Sequence, residues 1–385
     1  MAGELMPAVQ YAKYGGKYDA LQHAEVPVPT PKKDEVLVKI GAASVNPADW
    51  KIQSGILRPF LPPKFPFIPG TDVAGEIVRV GPGVTEFSEG ENVVSCLDIR
   101  VWMHYNIRWL DRCKEAPSCE YIGVLGMALD GRRLFEYISQ AIEEVGKENV
   151  VQTGGSLAKY VAASVKYTTK RPTKVSAIEA ACLPGAALTA LQSVRDYAGV
   201  NLDGSYRGDI LITAASGGVG TFAVQLAKLG GAHVTATCGS HNIELVKSLG
   251  ADEVLDYKTQ EGSDLKSPSG RKYDAIVHCT TGIPWSTFQE VLKPKGKVID
   301  LTPSPTGLVR SVLTKLSFSK QILVPLLMSA NSKDLRILVD LVEEGKLKTV
   351  IDSKFSLEEA KDAWKRSSEG HATGKIVVVV DDAVQ

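Results

Sequence analysis

Two hydrophobic rhythms divide this chain of 385 residues. From Met6 to Gly90, short alternating segments are cut by Pro and Gly: Glu35-Val36-Leu37-Val38-Lys39-Ile40, then Val73-Ala74-Gly75-Glu76-Ile77-Val78-Arg79-Val80-Gly81, then Glu91-Asn92-Val93-Val94. Alternation with frequent turn residues predicts an antiparallel, barrel-like β domain. After Gly208 the rhythm becomes strand, helix, strand, helix, with strands at Ile210, Val234, Ala251 to Tyr257, Tyr273 to Cys279 and Lys297 to Leu301. That order predicts a parallel sheet covered by helices on both faces. A helix from about Leu357 to Arg366 and a β run Gly374-Lys375-Ile376-Val377-Val378-Val379-Val380 close the chain, so the parallel unit is expected to be inserted within the β domain.

The sharpest change of period lies inside one stretch. Ile210-Leu211-Ile212-Thr213-Ala214-Ala215 is a buried-strand run, while Val219, Phe222, Ala223, Leu226 and Ala227 recur at i, i+3, i+4, i+7 and i+8, the spacing of one helix face. The join is Ser216-Gly217-Gly218-Val219-Gly220, where missing Cβ atoms allow a sharp turn and let a pyrophosphate rest on the amides at a helix N-terminus. A glycine turn by itself is weak evidence, but here a strand precedes it, a helix follows it, and a second strand stands at His233-Val234-Thr235-Ala236-Thr237. We therefore expect dinucleotide binding. An NAD site sets a carboxylate roughly 20 residues on, at the end of the second strand, to hold the ribose hydroxyls. This chain has Cys238-Gly239-Ser240-His241-Asn242 there and no acid until Glu244. Without that carboxylate a 2′-phosphate meets no repulsion, so NADPH is expected over NADH.

Composition removes other classes. Lys plus Arg equals Asp plus Glu at 44 each, so no global field draws in nucleic acid or anionic lipid. The six cysteines, at 96, 113, 119, 182, 238 and 279, show no framework spacing, which suits a reducing compartment. The start Met1-Ala2-Gly3-Glu4-Leu5-Met6-Pro7 has neither the pattern of a signal peptide nor that of a transit peptide. No apolar run was expected to approach the ~20 residues of a membrane span.

Five motifs together carry a family resemblance: Ser44-Val45-Asn46-Pro47-Ala48-Asp49-Trp50-Lys51, Pro69-Gly70-Thr71-Asp72-Val73-Ala74-Gly75, Leu183-Pro184-Gly185-Ala186-Ala187-Leu188-Thr189-Ala190, the Ala214 to Gly220 turn, and His371-Ala372-Thr373-Gly374-Lys375. The chain resembles the zinc-free quinone oxidoreductase branch of the medium-chain dehydrogenase/reductase superfamily, above all the plant chloroplast-envelope quinone oxidoreductase homologues and the alkenal and enone reductases. The resemblance implies an α/β protein, a GroES-like β-barrel catalytic domain plus a doubly wound Rossmann domain. Its parts would be residues 1–97 and 153–185 of the catalytic domain, 186–325 of the NADPH-binding domain, and a catalytic return at 326–385. Residues 98–152 do not fit that plan. They include Trp102, Trp109, Cys113 and Cys119, and end in a run with Leu134, Ile138, Ile142 and Val145 on one helical face. The part around Leu134 to Gln152 resembles a fragment of a plant hAT-type transposase domain; a family-specific loop is the alternative. Fifty residues without support in a compact domain predict poor packing there.

Zinc-dependent members of the superfamily polarise a carbonyl with a metal held by Cys, His and a carboxylate. Here Thr71-Asp72-Val73 follows Gly70 in place of a His-Glu pair, no Cys-x-x-Cys occurs, and His104, Cys113 and Cys119 are irregularly spaced, so no metal is expected. A conjugated acceptor needs less help than a simple ketone, because hydride delivered to it leaves charge spread over several atoms. Quinones and α,β-unsaturated carbonyls are thus the expected small-molecule substrates. By resemblance, Asn46 and Lys51 face the nicotinamide, where an amide or ammonium would steady a developing enolate, and Thr189 contacts the nicotinamide amide. From the residues alone, Asn46 is equally a turn residue before Pro47, Lys51 a surface lysine, and Thr189 a helical hydroxyl bonded to its own backbone. The expected cofactor set comprises Lys51, Thr189, Ser216, Gly217, Gly218, Val219, Gly220, Gly239, Ser240, His241, Asn242, Tyr257, and the turns Cys279-Thr280 and Leu301-Thr302 at strand C-termini. Tyr257 is set near the 2′-phosphate by the resemblance, and from the residues alone is equally an amphipathic strand-end tyrosine. His278 is expected to be a satisfied core histidine. The run Leu308 to Leu316, apolar at helical spacing and flanked by cations, is expected to be a dimer face or lid before a membrane-surface helix. The resemblance further implies a homodimer, at most peripheral membrane association, and a chloroplast-envelope location, with the cytosol as alternative. The competing reading is a nucleotide-binding protein of the same fold impaired by residues 98–152.

Overall fold

The computed structural model describes residues 4–56, 65–97, 154–304 and 320–383 apart from 327, with Gly307, Arg310, Ser311, Leu313 and Thr314 between them. The expectations placed on residues 98–152 lie outside the described residues, as does much of Leu308 to Leu316; of that run Arg310, Ser311, Leu313 and Thr314 are helical.

The β domain comes first. A hairpin, β1 (Leu5–Gln10) and β2 (Gln22–Pro27), precedes β3 (Glu35–Val45), β4 (Asp72–Val80), β5 (Asn92–Cys96), β6 (Tyr160–Ser164) and β7 (Thr168–Lys170). Strand β3 runs five residues beyond the predicted Ile40 because Gly41-Ala42-Ala43-Ser44 stays in the ladder with β4, after a register shift between Ile40 and Ala42. Small residues there let the sheet bend and admit a helix against it: Ala42, Ala74 and Val94 share a core cluster with Ala180, Leu183 and Ala187. Helix α1 (Pro47–Ser54) leaves β3 at once. Pro47 occupies its first turn, Asp49 reaches back to accept the Asn46 amide at 2.7 Å, and Gly55 ends it at φ 78°.

A helical run α2 (Ala177–Tyr197) leads out of the barrel. It opens with a Ser176–Glu179 capping box and widens into π turns at Leu183–Ala187, around Pro184, and at Gln192–Tyr197. Its 21 residues are long and apolar enough to cross a membrane, contrary to the expectation that no stretch nears that length. The reason is packing: 78% of its apolar window is buried inside the protein, wedged between the two domains.

Six parallel strands follow, β8 (Asp209–Ile212), β9 (His233–Cys238), β10 (Glu253–Asp256), β11 (Tyr273–His278), β12 (Leu292–Asp300) and β13 (Ile322–Pro325), with α3 (Gly218–Leu229) after the first. Their spatial order is β10-β9-β8-β11-β12-β13, which reverses direction between β8 and β11. Such a switch point opens a crevice at the carboxyl ends of the strands. Helix α4 (Ser332–Glu343), β14 (Ile351–Ser356), α5 (Ala360–Ser368) and β15 (Lys375–Val379) complete the chain. β15 pairs antiparallel with β3, so the barrel sheet reads β14-β15-β3-β4-β5-β7, with β6 also on β3. The fully buried Trp364 of α5 donates its Nε1 to Gln53 Oε1 at 2.9 Å, fixing α1 against the C-terminal return.

Candidate active site

The turn after β8 is built for close approach. Ala214 has φ 48°, a left-handed conformation that a side chain rarely adopts, and Gly217 donates to its carbonyl at 3.0 Å. A Cβ on Gly220 would lie 2.4 Å from the Ala214 oxygen and 2.6 Å from the Ala215 Cα, so only glycine lets α3 pack this tightly onto its strand. Gly217 is the N-cap and brings no side-chain acceptor, which leaves the first-turn amides of Gly218, Val219 and Gly220 for an external anion. These features fit the pyrophosphate of a dinucleotide.

The end of β9 forms the second turn. The His241 ring lies over Gly239, with its Cε1 3.0 Å from where a Cβ would stand, and the Tyr257 ring approaches the same point at 3.6 Å. Asn242 Nδ2 lies 3.2 Å from His241 Nε2 and donates to Thr373 Oγ1 at 3.1 Å, so the C-terminal return reaches this turn. Ser240 and His241 are exposed and Tyr257 is 44% exposed. Across the switch point, Cys279 donates its amide to Thr213 Oγ1 at 2.9 Å, Thr302 Oγ1 donates to the Thr280 carbonyl at 2.7 Å, and Leu301 bonds the His278 carbonyl. Burial, with the Asp300 carboxylate nearby, pushes the Cys279 thiol up to about 12, so it stays neutral. His278 is buried, 3.1 Å from Thr213 Oγ1 and edge-on to Phe288; burial lowers it to about 4, so it is a neutral core residue at pH 7.

On the barrel side, Asn46 follows β3 and is the N-cap of α1. Its Nδ2 donates to Asp72 at 2.9 Å and its Oδ1 accepts from the Lys375 ammonium at 2.5 Å. Asp72, fully buried on β4, also accepts from Ser44 at 2.9 Å and Thr71 at 3.1 Å, and lies 3.7 Å from Lys375. Gly185 of α2 faces this cluster, and Thr189 one turn on gives its hydroxyl proton to the Gly185 carbonyl at 2.6 Å. Its oxygen lone pairs are the part left to meet an amide donor. Lys51 stands one turn along α1 with its ammonium 5.7 Å from the Trp50 ring centre, and burial lowers its pKa. The barrel cluster and the cradle are joined: Gly374 donates to the Ser216 carbonyl at 2.8 Å, while the Lys375 stem crosses Gly218.

Ser44, Asp72, Gly185, Thr373 and Lys375 were missed as site residues. Each sits inside one of the five motifs, two of which had yielded Asn46, Lys51 and Thr189 as candidates. Among the described residues no group of three or more His, Cys, Asp or Glu is placed to hold a metal ion, and Cys113, Cys119 and His104 lie outside them.

A barrel joined to a switch-point sheet with an anion cradle between them defines a two-domain dinucleotide-binding oxidoreductase. Residues 32–173 match the alcohol dehydrogenase GroES-like domain and residues 249–378 the zinc-binding dehydrogenase family. The chain is 52% identical to a chloroplast envelope quinone oxidoreductase homolog of Arabidopsis thaliana over 98% of its length and 99% of the relative's. It is 32% identical to an NADPH-dependent alkenal/one oxidoreductase of the same plant, covering 97% of this chain and 79% of that one. The quinone oxidoreductase of Coxiella burnetii superposes with a TM-score of 0.76 at 27% identity, covering 98% of this chain and all of the other. The chain belongs to the medium-chain dehydrogenase/reductase superfamily, among its quinone oxidoreductase homologues, and is an oxidoreductase.

Proposed function

We propose that the protein is an NADPH-dependent reductase of quinones and of the C=C bond of α,β-unsaturated carbonyls. The observation that carries this reading is the direct joining of the cradle to the Asn46 cluster, through Gly374 to Ser216 and Lys375 to Asn46. A dinucleotide on the cradle would thereby have its reactive end beside a carboxamide whose oxygen is already engaged. The cofactor, when bound, supplies a hydride.

The amides of Gly218, Val219 and Gly220 hold the pyrophosphate, while Ser240, His241, Asn242 and Tyr257 line the adenosine end without a carboxylate to repel a 2′-phosphate. Cys279, Thr280, Leu301 and Thr302 form the far wall, and Thr189 orients the nicotinamide amide. Asn46 offers an N–H to the oxygen on which charge builds, and Lys51 adds a partly buried cation on the same helix. Water or a nearby hydroxyl supplies the proton. Alignment at near-attack distance is the main contribution asked of the protein. The names of the 52%-identical relatives support quinone reduction, and the 32%-identical relative supports NADPH and enones. The alternative, nucleotide binding without turnover, has no such support.

The chloroplast names of the same relatives support that compartment. Peripheral attachment to the envelope and a homodimer belong to the same proposal. The test is NADPH oxidation by the purified chain with a short enone, a long-chain enone and a quinone, beside NADH. Turnover that prefers NADPH is the expected result; silence with every acceptor would overturn the assignment.

A further inference from the structure

Lys375 is a cation to which the scheme above gives no chemical task. It is 3% exposed, and its ammonium lies 2.5 Å from Asn46 Oδ1 and 3.7 Å from the Asp72 carboxylate. An ammonium has only donors and a carboxylate only acceptors, so the two together dictate which way the carboxamide points. The oxygen must turn to Lys375 and the nitrogen to Asp72, as found. A Cβ on Gly185 would come within 3.0 Å of both ends of the carboxamide and 2.9 Å of Asp72, so the third side of the cluster tolerates no side chain. The stem of Lys375 lies against the cradle: a Cβ on Gly218 would meet its Cδ at 3.1 Å. One residue thus has its backbone amide on the Val350 carbonyl, its stem against the cradle and its tip on Asn46.

We propose that Lys375 is a positioning residue for the reduction. By holding the oxygen of Asn46 while Asp72 takes one of its two N–H groups, it leaves only the other N–H for the substrate oxygen that gains negative charge, and its stem ties that carboxamide to the cradle. The inference deepens the functional reading and rests on it, because it takes Asn46 to face the reacting atoms. Without the ammonium, the terminal torsion of Asn46 is broad and roughly two-fold, so the carboxamide can turn and present its oxygen to the developing charge.

A double-mutant cycle tests this: wild type, Asn46→Ala, Lys375→Met and the pair together, each assayed for kcat with a quinone or enone and for NADPH Kd by fluorescence. Loss of one oxyanion donor costs about 10²–10³ in kcat elsewhere, and loss of its orientation should cost less. Lys375→Met is expected to lower kcat about tenfold to a hundredfold with NADPH Kd within about threefold, and to cost nothing further once Asn46 is alanine. Because Lys375→Met leaves Asp72 buried and unpaired, Asp72→Asn/Lys375→Met, which removes both charges, is run beside it with the same expected loss. A kcat within about twofold of wild type in the folded variants, losses that multiply in the Asn46→Ala background, or an effect confined to NADPH Kd would each overturn the inference. Wild-type silence with every acceptor would overturn the functional reading itself, and the inference with it.

Discussion

Asp49 carries a charge in a place that resists it. The side chain is 2% exposed, and burial, reinforced by the Asp72 carboxylate, raises it from 3.8 to about 7 against the opposing pull of the Asn46 amide and Lys375. The folded state therefore holds this proton more tightly than the unfolded chain does. Its contribution to stability is fully present below about pH 4 and is lost as pH rises to about 7, beyond which no more is lost. At about 1.4 kcal/mol per pH unit, a gap of roughly three units amounts to about 4 kcal/mol, of which about 2.5 falls between pH 5 and 8. Asp49→Asn keeps an oxygen for the Asn46 amide and has no charge to bury. Urea midpoints of both proteins, followed by tryptophan fluorescence from pH 5 to 8, should separate steadily as pH rises, the variant becoming the more stable. Other titrating groups are common to both and cancel in the difference. A stability difference that stays constant over that range, or a variant that loses ground at pH 8, would refute the reasoning.

The remaining predictions concern the cofactor site. Ser240→Asp restores a carboxylate at the end of β9 and should cut kcat/KM for NADPH by at least about tenfold while sparing NADH, which parallel initial-rate measurements with the two cofactors will show. Gly220→Ala forces a methyl to within 2.4 Å of the Ala214 oxygen. We expect about 1–3 kcal/mol of destabilisation from that overpacking, read as a lowered Tm together with weaker NADPH binding in a fluorescence titration.

Much of the architecture was legible along the chain. The cradle strand and helix were read at Ile210 to Leu229 and occur as Asp209–Ile212 and Gly218–Leu229, because a buried parallel strand and an amphipathic helix differ in hydrophobic period. Boundaries were weaker where local pattern and tertiary packing disagree. The C-terminal helix was expected from Leu357 to Arg366 and begins at Ala360, with Trp364 as its buried anchor. β12 starts at Leu292 where Lys297 was expected; Leu292 pairs with Tyr273, the register then shifts across Lys293-Pro294-Lys295-Gly296, and the continuous ladder with β11 begins at Lys297. The bland local readings of Asn46 and Thr189 were also partly right: Asn46 does cap α1, and the Thr189 hydroxyl does bond its own helix.

The sequence by itself determined the two domain types, the position of the cradle and the absence of an acid after β9, because each of these rests on residues that are neighbours in the chain. Only the tertiary structure decided what surrounds Asn46. Ser44, Asp72, Gly185 and Lys375 come from three strands and a helix, and Lys375 lies 329 residues from its partner. Nothing local marks a lysine in an alternating β tail as a buried cation; its charge is tolerated only because folding sets a carboxylate and a carboxamide oxygen against it.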